Sequence, residues 1–451
     1  MKKTVFNLII SISACMSLYA CSGDEYKIPV GSDAIPSVPS KVEVLKNSES
    51  GKWEMLVNGE TYYINGAACN NFYTSVSKFG GNTIRLYSCN SRSTRDSLDM
   101  AYQAGLMVNM GLSLKRERDG FDYNDEAAVA EQKANIQTWV KQYKDHPAVL
   151  CWSIGNEADS EYTNKKLWTA INEIAAMIHE IDPNHPTTTA LASPNLDRVQ
   201  SVRTMAPEID ILSINCYSPT LPNLLKNLQD GGWEKPYMVT EFGPRGTWQL
   251  NAVASRILPW GALVEQTSTE KAEEYKTAWT QHIKANQNNG CIGSFVFLWG
   301  YQKHGEVLGW YGLFTKDKYS FPGVDVMQEC WTGTAPSAPA PVIADRSRMT
   351  MNGQVAEDAI SVAPGSENSA KVEASTTAEV QLRYRWFIFQ EGDSAPDGSM
   401  PDGITGLISN DTVAEISFKA PSQAGGYRLY VYVFDDVNKK AASACIPFKV
   451  E

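Results

Sequence analysis

Two glutamates stand where this sequence could do chemistry. Glu157 lies in His146–Glu161 (HPAVLCWSIGNEADSE), and Glu241 lies in Pro236–Gly243 (PYMVTEFG), 84 residues further on. Each follows an apolar run too short for a helix but rich enough for a strand buried on both faces. Gly155 is expected to end the first strand and turn the backbone, leaving Asn156 and Glu157 at its carboxyl end. An amide and a carboxylate at the mouth of a buried strand need polar partners, and in α/β folds that end is where chemistry sits. Two carboxylates brought together there could break a glycosidic bond. One would hold a proton for the leaving oxygen, its pKa raised by burial and a nearby anion. The other would act at the anomeric carbon. Either glutamate alone reads better as a helix cap or an arginine's partner; the pair carries the inference.

Positioning both requires a particular scaffold. Residues 41–333 alternate strand-like and helix-like segments. The strand candidates are Tyr62–Ala67, Thr83–Tyr87, Leu106–Gly111, Val149–Ile154, Thr187–Ala192, Ile211–Asn215, Tyr237–Thr240 and Ile292–Leu298. The clearest helical patterns are Glu126–Tyr143, Asn164–Ile181 and Thr269–Gln287. Eight such repeats predict a (β/α)8 TIM barrel, whose fourth and seventh strands face each other across the mouth. The runner-up, a doubly wound open sheet, would usually show a Gly-rich phosphate loop after its first strand, and none is present. A Pro/Ala-rich linker at 334–344 closes this domain. Beyond it, at 345–451, strand-like alternation takes over in Gln381–Gln390, Val413–Phe418, Gly426–Phe434 and Ala444–Val450. That pattern predicts a small all-β immunoglobulin-like sandwich. Arg383, Arg385 and Trp386 could form a binding face there, though a structural role fits the alternation better.

Composition narrows the partners. The net charge of −11 comes from acids spread along the chain, which excludes the basic stripe that nucleic acid requires. Five His, with no His/Cys cluster at ligand spacing, give a metal site no support, and no cofactor motif appears. Twelve Trp and twenty Tyr supply flat apolar faces with polar edges, which suit sugar rings. Residues 1–20 read as a signal peptide: Lys2 and Lys3, then a short apolar run. It closes in Leu18-Tyr19-Ala20-Cys21, similar to a bacterial lipoprotein signal with Cys21 lipidated. Tyr19 is bulkier than the usual residue, so ordinary secretion stays open. Residues 21–40 then serve as a tether, and the protein is expected at the cell envelope, on the outer membrane or cell surface. Membrane contact would come only through the lipid anchor. Setting aside Cys15 and Cys21, an odd seven of the nine cysteines remain. That argues against a full disulfide framework and for buried thiols. Oligomeric state is not legible.

These residues also carry a resemblance. HPAVLCWSIGNE resembles the acid/base motif of glycoside hydrolase family 2 and the wider clan A of retaining glycosidases. VTEFGPRG resembles their nucleophile motif. The resemblance implies Glu157 as acid/base and Glu241 as the nucleophile of a covalent glycosyl-enzyme. GGNTIRLYS places Arg85 at a strand-two arginine that steadies the nucleophile. Asn156 falls where the family holds the sugar 2-hydroxyl. INCYSP places Asn215 and Tyr217 at an Asn-x-Tyr pair near the nucleophile, and FVFLWGYQ places Trp299 at a tryptophan floor for the sugar. The similarity covers about residues 41–333.

The expected substrate is a β-linked oligo- or polysaccharide. No sandwich domain is read before the barrel, so an open groove cutting a β-glucan internally is expected. Trp248, Trp260, Trp299 and Trp310 would be its platforms. The same residues would serve a transglycosylase, and an inactive glycan-binding barrel is the reading from another class. The 25 residues between Phe242 and Ser268 are long for a βα connection, which favours function over filler.

Overall fold

The computed structural model describes residues 35, 38–69, 71–89, 91, 93–302, 309–393, 395 and 400–451. The signal peptide, Cys21 and most of the tether lie outside the described residues. Among the described residues, no helix is long and apolar enough to cross a membrane.

The described chain opens with a small antiparallel sheet of β1 (Val42–Lys46), β2 (Trp53–Val57) and β3 (Glu60–Tyr62). The barrel follows as β4 (Ile64–Ala68), α1 (Tyr73–Lys78), β5 (Thr83–Leu86), α2 (Ser93–Gln103), β6 (Met107–Leu112), α3 (Glu126–Tyr143), β7 (Val149–Asn156) and α4 (Lys166–Ile181). It continues with β8 (Thr187–Leu191), α5 (Leu196–Met205), β9 (Ile211–Asn215), α6 (Leu224–Asp230), β10 (Tyr237–Phe242), α7 (Ser268–Thr277), β11 (Cys291–Val296) and α8 (Pro322–Thr332). The eight strands β4 to β11 pair in parallel, and β11 returns to β4 to close the barrel. All eight lie where the apolar runs placed them.

The opening sheet was not expected. It closes the floor of the barrel: Val42 and Met55 pack with Ile64, Leu150, Ile211, Met238 and Ile292 at the amino ends of the barrel strands. Ser40 fastens it by donating to the Val149 carbonyl at 2.7 Å. Its strands are short and half-exposed, so they lack the doubly buried run that marks a barrel strand.

Helix starts follow local chemistry. Asp125 accepts from the Ala128 amide at the start of α3, and Thr267 and Glu270 form a reciprocal capping box at the start of α7. On α4, Leu167, Ile171, Ile174, Ala175 and Ile178 recur at helical spacing and are all buried. The helix expected over Thr269–Gln287 is α-helical only to Thr277. It then widens into a π-turn at Ala278–Ile283 and tightens into 3-10 turns at Lys284–Asn289.

Two sheets form the C-terminal sandwich. One is made of β12 (Met349–Met351), β14 (Glu367–Val372) and β16 (Glu415–Lys419). The other is β13 (Ser361–Val362), β18 (Lys440–Val450), β17 (Gly425–Asp435) and β15 (Arg383–Gln390), in that order. The first sheet buries alternate side chains, as in an immunoglobulin-like domain, whereas β17 and β18 of the second are buried almost throughout. β12, β13 and β14 escaped the sequence reading because they are two to six residues long and, in β14, polar at every exposed position. Trp386 is buried and donates to the Val413 carbonyl at 2.8 Å, while Arg383 grips Asp436 at 2.7 and 2.8 Å. Trp386 is therefore structural, and Arg383 forms a surface ion pair.

Seven cysteines fall in the described residues and all are free; six are buried and Cys330 is half-buried. Burial raises the thiol pKa of each, Cys89, Cys216, Cys330 and Cys445 to about 12 and Cys291 to about 11.

Candidate active site

β7 and β10, the fourth and seventh barrel strands, deliver Glu157 and Glu241 to the carboxyl-end mouth. β7 does not stop at Gly155 as expected. It runs on to Asn156 with a register irregularity against β8 between Ser153 and Asn156, and Gly155 takes a φ of 75°. Glu157 itself is left-handed at φ 50°, a conformation that costs a non-glycine residue of order 1–3 kcal/mol. Its amide is held by the Ala190 carbonyl at 2.9 Å.

Glu241 is buried and surrounded by donors. Arg85 Nη1 donates to Oε1 at 2.9 Å, Tyr87 Oη to the same oxygen at 3.0 Å, and Tyr217 Oη to Oε2 at 2.8 Å. All three groups donate, which is the pattern a carboxylate anion accepts. Burial first, and the Glu241 charge second, push both phenols well above their usual range, so they remain donors.

Arg85 is fully buried and links the two carboxylate strands. Its guanidinium also donates to the Thr240 carbonyl at 3.0 Å and to Asn156 Oδ1 at 2.7 Å. Asn215, at the end of β9, completes the link. Its Nδ2 donates to Glu157 Oε1 at 2.8 Å and to Asn156 Oδ1 at 3.1 Å, and its Oδ1 accepts from Thr240 Oγ1 at 3.0 Å. Burial, and then the charge of Glu241, raise the Glu157 pKa to about 7; Asn215 opposes the shift and Asp159 adds to it. One carboxyl is thus poised to hold a proton near neutrality beside another that only accepts.

The structure brings together Glu157, Glu241, Arg85, Asn156, Asn215 and Tyr217. Trp299 is not among them. It is fully buried, donates its indole N–H to Ser75 Oγ at 2.8 Å, and packs against Phe79, Phe314 and Trp331. The resemblance placed Trp299 at the sugar, but β11 ends at Val296, three residues before it. Phe297 takes the inward place instead, edge-on to Tyr217 at 5.9 Å and to Tyr311 at 5.4 Å. Trp310 is also buried, donating to the Arg245 carbonyl at 2.9 Å, and Trp260 packs on the sandwich core. Of the four tryptophans expected as platforms, only Trp248 is exposed, at 54%, with its ring edge-on to Tyr217 at 5.3 Å.

Three neighbours were missed. Tyr87 was legible, because it sits two residues after Arg85 and period-two alternation points both inward. Thr240 immediately precedes Glu241 and orients Asn215. Asp159 is buried two residues after Glu157, where it accepts from the Ala192 amide at 3.0 Å and pairs with Arg198 at 3.1 Å, tying the ends of β7 and β8 to α5. Burial pushes Asp159 up to about 6 even against Arg198.

Among solved structures, the chain is similar to a β-glucuronidase from Bacteroides uniformis at 13% identity and TM-score 0.48, covering 90% of this chain and 48% of that one. It is similar to a β-D-glucuronidase from Dictyoglomus thermophilum at 17% and 0.49, covering 65% and 54%. A putative β-galactosidase from Bacteroides fragilis gives 15% and 0.46, covering 91% and 57%. The chain thus spans about half the length of these proteins. Residues 103–335 match the family model for the TIM barrel domain of glycosyl hydrolases family 2, and that stretch, more than half of the chain, holds both glutamates. The chain belongs to glycosyl hydrolases family 2.

Proposed function

We propose that this protein is a retaining β-glycosidase in which Glu157 is the acid/base and Glu241 the nucleophile. The observation that carries the reading is the asymmetry of the pair: Glu241 accepts three hydrogen bonds from Arg85, Tyr87 and Tyr217, whereas Glu157 is pushed up to about 7. In the first step Glu157 gives its proton to the glycosidic oxygen as the bond to the anomeric carbon breaks, and a Glu241 oxygen forms an ester to that carbon. Glu157, now an anion, takes a proton from water. The hydroxide oxygen bonds to the anomeric carbon and the ester to Glu241 breaks. Two inversions leave the configuration unchanged. Proton NMR during the first minutes of aryl β-glycoside hydrolysis should therefore show the β-anomer before mutarotation. An α-anomer appearing first would overturn the mechanism.

Burial of Trp299 and Trp310, and the packing of Trp260 on the sandwich core, remove three of the four platforms on which an internally cut β-glucan was expected. A single exposed indole beside Tyr217 favours instead a site that stacks one ring on Trp248 and releases it from a chain end. Monosaccharide should be the first product from soluble β-linked oligosaccharides. Internal fragments ahead of monosaccharide would restore the groove.

A further inference from the structure

The loop after β10, residues 243–267, has two ends with different attachments. Its first part belongs to the active-site wall. Leu250 packs with Tyr217, Phe297 and Tyr311, and Trp248 lies edge-on to Tyr217, the residue that donates to Glu241. Its second part belongs to the sandwich: Leu258, Ala262 and Val264 are members of the sandwich's own apolar core.

A buried polar cluster locks that second part in place. Glu265 is 4% exposed, accepts from Lys271 Nζ through Oε1, and accepts from Tyr430 Oη on β17 through Oε2. Arg428, also on β17, donates to the Leu263 carbonyl at 2.7 Å and to Glu391 at 2.8 and 3.0 Å. Lys271, Arg428 and Glu265 are buried and Glu391 partly so, and a buried member left unpaired would be costly. The cluster is also joined to the wall. Lys271 and Arg256 lie 5.8 and 5.5 Å from the ring of Trp310, whose indole donates to the Arg245 carbonyl, three residues before Trp248.

We propose that the C-terminal sandwich is a working part of the active site. Arg428 and Tyr430, acting through Glu265, are positioning residues that hold the 243–267 loop so that Trp248 stands beside Tyr217 to receive the sugar. A second buried ion pair, Lys440 of β18 with Asp325 of α8, joins the sandwich to the barrel elsewhere, so what sets the Glu265 cluster apart is its place on the loop that carries the exposed indole. Long loops pay for their own flexibility unless something external fixes them.

The kinetic arm of the test rests on the glycosidase reading; the exchange arm does not. The full chain would be made as Glu265→Gln, Tyr430→Phe, Trp248→Ala and Glu265→Gln with Trp248→Ala. In Glu265→Gln and Tyr430→Phe, amide hydrogen exchange over 245–257 should quicken by about tenfold or more while β7 and β10 keep their protection. With 4-nitrophenyl β-galactoside, glucoside and glucuronide as probes, KM should rise by about fivefold or more with kcat changed by less than about twofold. The double variant should be no worse than Trp248→Ala alone, because both act through one indole. Unchanged exchange over 245–257 in the milder Tyr430→Phe variant, or KM effects that simply multiply, would overturn the proposal. If wild type turns over none of the probes, the glycosidase reading fails and exchange alone decides this inference.

Discussion

Glu241→Gln should abolish turnover of every substrate, by about four to six orders of magnitude in kcat. An amide cannot form the ester, and no neighbour can stand in for it: the groups within hydrogen-bonding reach, Arg85, Tyr87 and Tyr217, are all donors. The variant should still fold. Arg85 keeps the Thr240 carbonyl and Asn156 as acceptors, so its charge is not left bare. Loss of the buried ion pair should nevertheless lower stability, by up to about 3–5 kcal/mol. Circular dichroism at the assay temperature, run beside the rate measurement, separates lost chemistry from lost structure. Folded protein that retains more than a per cent of wild-type activity would remove Glu241 from the nucleophile's role.

Glu157→Gln should divide substrates by leaving group. Poor leaving groups need the proton and should slow by about 10²–10⁴-fold, while activated aryl glycosides should form the glycosyl-enzyme with little loss. The same variant tests the pH dependence. In the wild type the acid form of Glu157 is needed, and its pKa is raised to about 7, so kcat/KM for poor leaving groups should fall as pH rises through that value. The glutamine variant has no proton to lose there, and the alkaline fall should vanish. Equal losses on both substrate types, or an unchanged alkaline limb, would take the acid role from Glu157.

The barrel was legible because its strands are buried on both faces, and a run such as Val149–Ile154 has few other ways to fold. The pairing of Glu157 with Glu241 was legible because strand order in a closed barrel dictates which strand ends share a mouth. What escaped depended on partners far along the chain. β2 and β3 look unremarkable until they are seen closing the floor. Trp299 was placed by its resemblance to a family motif, but it lies three residues beyond the end of β11 at Val296 and is turned into the core. Glu265 resembles any loop acid in sequence; only the docked sandwich, with Tyr430 165 residues away, reveals what it holds.

The free thiols give the molecule a set of internal clocks. Cys69, Cys89, Cys151, Cys216 and Cys291 lie within the barrel, and Cys445 sits on β18 with its sulfur 3.5 Å from Glu265. A closed thiol whose pKa burial has raised reacts with a reagent only when its surroundings open. Modification of Cys445 ahead of the barrel cysteines, followed by mass spectrometry of peptides, would date the parting of sandwich from loop separately from the melting of the barrel. Simultaneous modification would mean that the two come apart as one cooperative body. Because all seven described cysteines are free, refolding of the barrel and sandwich calls for no oxidant, and a reducing medium keeps the thiols exposed on unfolding from cross-linking.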